Sequence, residues 1–154
     1  MSTVIDVHTH MLNEHWLAQL VAHGGKYELS EFKGQRVIRA DGAPFMTLME
    51  PMFDYARRIE DMDAAGVDRA NINCIFHSDA SKGNNIVAER FVSQYPDRFI
   101  GVAFVTPHYP EEAIPELERA FNELNLRSLK VYPTYYGKPI DDPGYFPIFE
   151  WCND

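Results

Sequence analysis

Apolar positions along this chain change their spacing repeatedly, and the changes mark alternating strands and helices. The run "VIDVH", Val4 to His8, is short and β-branched, as expected of a buried strand. From Glu14 to Ala22 the apolar residues Trp16, Leu17, Leu20 and Val21 recur at helical spacing. Asn13 stands in the N-cap position and Gly24 and Gly25 supply the stop. The spacing then predicts a helix over 52–65 ended by Gly66, a strand over 69–76 ("RANINCIF") and a helix over 84–94. A third strand over 98–105 ("RFIGVAFV") and a helix over 111–124 follow, Pro115 implying a late start or a bend. The stretch "SLKVYP", 128–133, predicts a fourth strand, and "DDPGYFPIFEWCND" leads toward a further helix.

One segment breaks the alternation. Residues 27–51 read as an irregular insertion, with Lys33-Gly34 and Asp41-Gly42 as turn signals around a short strand, "RVIRA". A small hairpin is the most that the pattern suggests there.

Strand–helix alternation with short connections implies an α/β fold of parallel strands with right-handed crossovers. Residues 1–154 read as one domain of four such units. An open doubly wound sheet and a piece of a (β/α)8 barrel both fit. No glycine-rich loop follows the first strand, which counts against a dinucleotide-binding sheet. A whole barrel takes about 250 residues, so 154 residues hold half of one.

Charge narrows the partners. With 14 Lys and Arg against 23 Asp and Glu, the net charge is −9, which disfavours nucleic acid and anionic membrane surfaces. No apolar run approaches the roughly 20 residues of a membrane span, and "MSTVID" has neither the basic region nor the apolar stretch of a signal peptide. Cys74 and Cys152 are far apart and form no CxxC, which points to a reducing compartment. A cytoplasmic protein acting on small molecules is the expectation.

The candidate chemistry begins at the first strand end, in "VIDVHTHM". Residues two apart on a strand share a side, so Asp6, His8 and His10 point together. At the C-terminal end of a parallel strand that side opens on the usual ligand site. Two imidazoles there suit a divalent ion, yet a catalytic zinc takes about three protein ligands and a water. Histidines that merely hydrogen-bond in a loop would satisfy the same pattern.

Three further stretches follow in order: "RIEDMDAAGVDRANI", "NNIVAERFVSQYPDRFIGVAFVTP" and "LKVYPTYYGKPIDDPGYFPIFEWC". With the D-x-H-x-H start, the set resembles the amidohydrolase superfamily, in the branch of aminocarboxymuconate-semialdehyde decarboxylase and related metal-dependent hydrolases and decarboxylases. The resemblance implies the first four β/α units of a distorted (β/α)8 barrel with a divalent metal in its C-terminal mouth. That metal is expected to be zinc, with manganese or iron as alternatives. His8 and His10 match the family's first two metal ligands. The family's other ligands, two histidines and an aspartate, come from later strands, so the catalytic residues are expected beyond residue 154. The chain is then expected to be the N-terminal part of something longer.

Within that frame Lys130 shares a side with Tyr132 and points into the barrel, as a charge partner for substrate or for Asp6. A bridging carboxylated lysine is the less favoured role. His77, after the second strand, and Tyr135, after the fourth, are expected to line the substrate pocket; His108 is expected to be a solvated loop residue. The implied function is hydrolysis or decarboxylation of a small carboxylated or aromatic molecule. The rival is a non-catalytic half-barrel or α/β binding module. Two exposed sheet edges predict a homo-oligomer or association with a C-terminal half.

Overall fold

The computed structural model describes residues 2–23, 25–73, 81–107, 109–132 and 137–153, with residues 15, 16, 19, 23, 81–84, 86 and 87 described by backbone alone. Two compact units divide the chain: residues 1–9 with 67–154, and residues 10–66.

The first unit is built on a four-stranded sheet in the order β1-β5-β6-β7. Its strands are β1 (Ile5–His10), β5 (Arg69–Asn73), β6 (Phe99–Phe104) and β7 (Ser128–Lys130). The strands β2 (Tyr27–Phe32), β3 (Gln35–Ala40) and β4 (Ala43–Leu48) lie between them in sequence and belong to the other unit. β5 and β6 pair in parallel with Ala70 opposite Phe99, and β6 and β7 with Phe104 opposite Lys130. Helices α3 (Ser81–Gln94) and α4 (Pro110–Asn122) are the crossovers, and a final helix α5 (Phe146–Asn153) follows a 3-10 turn. This is a four-stranded half of a (β/α)8 barrel, one of the two architectures that the strand–helix alternation allows and the one that the family resemblance implies.

Alternation sorts the two faces of β6. Ala103 and Val105 join Ala88, Leu117, Ala120, Leu126 and Ile148 in a buried cluster, with Leu129 of β7 packed against it. That cluster is the sheet-to-helix core. Phe104 and Lys130 therefore point to the opposite, inner face, where Phe104 meets Tyr132. Gly101 lets β6 approach its neighbours closely, since a Cβ there would strike Leu126 Cδ2 and lie 2.9 Å from Val92 Cγ2. Helix α4 does not start late: Pro110 opens it and Pro115 lies inside.

The second unit replaces the expected irregular insertion with a regular three-stranded antiparallel sheet, β2-β3-β4. Its two turns are the Lys33-Gly34 and Asp41-Gly42 pairs, all four residues at φ between 51° and 78°. Positive φ at both central positions is the type I′ geometry that matches strand twist. The sequence reading recognised the turns and missed the outer strands because β2 ("YELSEF") and β4 ("APFMTL") lack sustained apolar alternation. Helix α2 (Tyr55–Ala65) is capped by Asp54, whose side chain accepts from Arg57 N–H, and closed by left-handed Gly66. Helix α1 (Glu14–His23) precedes β2.

Candidate functional site

Strand β1 runs through both histidines of the opening motif. The Asp6 carboxylate folds back on its own strand, Oδ1 accepting from the His8 backbone N–H at 3.0 Å. His8 is exposed, and His10 is half-buried at the strand's last position. At the matching end of β7, Lys130 brings Nζ to 3.4 Å from His8 Nδ1. An ammonium has only protons to offer, so Nδ1 is the acceptor and a neutral ring carries its proton on Nε2. Lys130 Nζ also lies 4.9 Å from the centroid of the Tyr132 ring, within cation–π range. The expected inward direction of Lys130 holds, with His8 and Tyr132 as its neighbours.

Behind this pair the end of β6 is pinned. Asn85 of α3, fully buried, accepts from Phe104 N–H through Oδ1 at 2.8 Å and donates to Phe104 C=O at 3.2 Å. Its amide also donates to Glu116 Oε1 at 2.7 Å. Glu116 in turn receives both arms of Arg119, at 2.9 and 2.8 Å. The buried carboxylate is thus paired and hydrogen-bonded, as burial of charge requires. Hydrogen bonding to that carboxylate holds the Arg119 guanidinium above its ordinary pKa. Asn73, buried at the end of β5, donates to Thr9 C=O of β1 at 3.4 Å.

Asn85, Glu116 and Tyr132 were not singled out from sequence. The first two break apolar helix stripes, Asn85 beside Ala88 and Val92, Glu116 between Ala113 and Ala120. A polar residue inside such a stripe is the available signal. His77 and Tyr135, expected pocket residues, lie outside the described residues, as does His108.

Two imidazoles two residues apart are suitable donors for zinc, manganese or iron. Among the described residues no group of three or more His, Cys, Asp or Glu could hold a metal ion. His8 and His10 would by themselves be only part of a ligand shell, since a catalytic zinc takes about three protein ligands and a water. No helix among the described residues is long and apolar enough to cross a membrane.

Comparison with known proteins extends these observations. The chain is 30% identical over 168 residues to a 2-amino-3-carboxymuconate-6-semialdehyde decarboxylase of Dictyostelium discoideum, across 99% of this chain and 46% of that protein. Its fold matches a 5-carboxyvanillate decarboxylase from Novosphingobium aromaticivorans, solved with bound manganese, at a TM-score of 0.70 and 24% identity. That likeness covers 98% of this chain and 48% of the other. An IDCase from Metarhizium anisopliae matches at a TM-score of 0.75 and 18% identity, over 97% and 47% of the two chains. The chain spans about half the length of the curated relative it matches. A family model described as Amidohydrolase matches residues 5–154, and the chain belongs to that family.

Proposed function

We propose that this chain supplies the strand-one histidines and a substrate-reading lysine to a metal-dependent hydrolase or decarboxylase of small aromatic or carboxylated molecules. The observation that carries the reading is Lys130 Nζ at 3.4 Å from His8 Nδ1, at the C-terminal end of a parallel sheet. In parallel α/β folds that end is where ligands bind.

In this reading His8 and His10 hold the ion, and zinc is favoured because imidazole suits it. The manganese of the 5-carboxyvanillate decarboxylase supports the broader class of divalent ions. A bound divalent ion supplies Lewis-acid polarisation of a water or a substrate oxygen. Lys130 cannot keep its bond to Nδ1 when His8 becomes a ligand. Coordination through Nδ1 would use that lone pair, and coordination through Nε2 would leave the ring proton on Nδ1. The released ammonium is then available to a substrate carboxylate, which it attracts and orients. The same reading assigns substrate contacts to His77 and Tyr135. Decarboxylation is favoured over hydrolysis by the names of the relatives.

The test is an assay of the purified protein, stripped with chelator and reloaded with zinc or manganese, on a panel of hydroxylated aromatic carboxylates and carboxylic amides. Carbon dioxide release that vanishes on stripping and returns with one of the two ions is the expected result. Amide hydrolysis without carbon dioxide release would shift the reading to a hydrolase. Activity indifferent to stripping would overturn it.

A second reading has its own observation. Strand β1 is at the sheet edge, and Ile5 and Val7 are 44% and 71% exposed. Such an edge favours association, either with a second copy or with a separate C-terminal half. A strictly monomeric mass in solution would contradict it.

A further inference from the structure

We propose that Tyr132 is a positioning residue that holds the Lys130 ammonium at the site after it leaves His8; this rests on the reading of Lys130 as the site's substrate-facing cation. The geometry has three parts. Lys130 and Tyr132 are two apart at the end of β7, and Nζ sits 4.9 Å from the ring centroid. The same ring also meets Phe104, with centroids 5.9 Å apart and planes inclined at 53°. Phe104 is itself almost wholly buried and is gripped at both backbone polar groups by Asn85.

The consequence follows from what a lysine is. Its four-carbon stem has many rotamers, and fixing them costs conformational entropy. A ring quadrupole recovers part of that cost by attracting the ammonium over its face. The ring performs this only if it does not tilt away, and the Phe104 contact opposes tilting.

Two other lysines show the difference. Lys26 lies 5.2 Å from the Tyr27 ring and Lys33 5.3 Å from the Phe32 ring. Each belongs to the antiparallel unit and stacks on its immediate neighbour in sequence. Lys130 instead reaches a ring two residues on; the Tyr27 ring, like that of Tyr132, meets a phenylalanine of another strand, Phe45 at 5.5 Å. Tyr132 acts through its face and not through its hydroxyl, so phenylalanine is expected to replace it.

The experiment uses the full chain with its lysines reductively ¹³C-methylated, which keeps their charge. Lys130→Met assigns the Lys130 resonance by its disappearance. A ring-current-shifted Lys130 signal in the wild type, kept in Tyr132→Phe and lost in Tyr132→Leu, is expected. Titration with benzoate as the probe anion should then show about threefold weaker binding in Tyr132→Leu and none of that loss in Tyr132→Phe. In a Lys130→Met background the leucine substitution should change benzoate binding no further. An unshifted Lys130 signal in the wild type would overturn the proposal without any variant. So would a benzoate loss in Tyr132→Leu that is equally large without Lys130. If benzoate binds none of the proteins while the ring shift behaves as expected, the positioning role stands and the carboxylate-reading role of Lys130 falls.

Discussion

Each compact unit contains one arginine that grips a glutamate with both arms, and the two pairs live in opposite surroundings. Arg36 meets Glu14 at 2.8 Å through each nitrogen, with side chains 44% and 64% exposed. Arg119 meets Glu116 at nearly the same distances, but Glu116 is buried. Geometry alone would rank the pairs equal. Surroundings do not, because water already solvates the first pair and the buried carboxylate of the second accepts from the Asn85 amide instead. The buried pair is therefore part of what holds Phe104, and through it the inner face of the sheet. The exposed pair joins α1 to β3 within its own unit, where Arg36 also lies 5.1 Å from the Phe53 ring centroid, and water screens its charges.

The largest expected effect breaks the comparison if it fails. Arg119→Ala leaves the Glu116 carboxylate buried with Asn85 as its described partner, and about 3–5 kcal/mol of stability should be lost. Urea denaturation measures it, and a loss under about 1 kcal/mol would make the two pairs equivalent.

Two glycines sharpen the same contrast. Gly101→Ala drives a methyl into Leu126 and Val92 and should cost about 1–3 kcal/mol by overpacking. Gly42→Ala meets open space but must hold φ near 78°, costing about 1 kcal/mol. Thermal melts of the two variants should rank in that order.

Arg36→Ala should cost only about 0.2–1 kcal/mol, and less as salt is added. A small pH effect accompanies it. The Arg36 hydrogen bond holds the Glu14 carboxyl below its ordinary pKa, against a weaker opposing effect of burial. The folded-state value is below the unfolded one, so the contribution is fully present above the unfolded value. It is lost as pH falls through the folded value. Wild type and Arg36→Ala should therefore converge in stability as the solution is acidified; a gap that widens toward low pH would contradict the assignment.

The sequence disclosed β5 and β6 well because they are buried and carry apolar runs such as "FIGVAF". The first strand, expected to be buried, is instead largely exposed at Val4, Ile5 and Val7. Strand parity put Lys130 and Tyr132 on one side, and the barrel implied by the resemblance made that side the inner one. The antiparallel unit was half legible: its I′ turns need positive φ, which Lys33-Gly34 and Asp41-Gly42 advertise. Its outer strands were hidden because Glu28, Glu31 and Thr47 interrupt the apolar pattern. Asn85 was hidden for a different reason. Its break in the apolar stripe of α3 marks a polar residue, but nothing in that stripe says that its partner is the Phe104 backbone on another element. The contact of Lys130 with His8 joins residues 122 positions apart, and no local pattern encodes such a meeting.

The central claim is that His8 and His10 bind a divalent ion. Calorimetric titration of the chelator-stripped chain with zinc and with manganese, repeated on His8→Ala and His10→Ala, tests it directly. Binding in the wild type that weakens at least tenfold in each variant is the predicted result. Equal metal content in the wild type and both variants would contradict it.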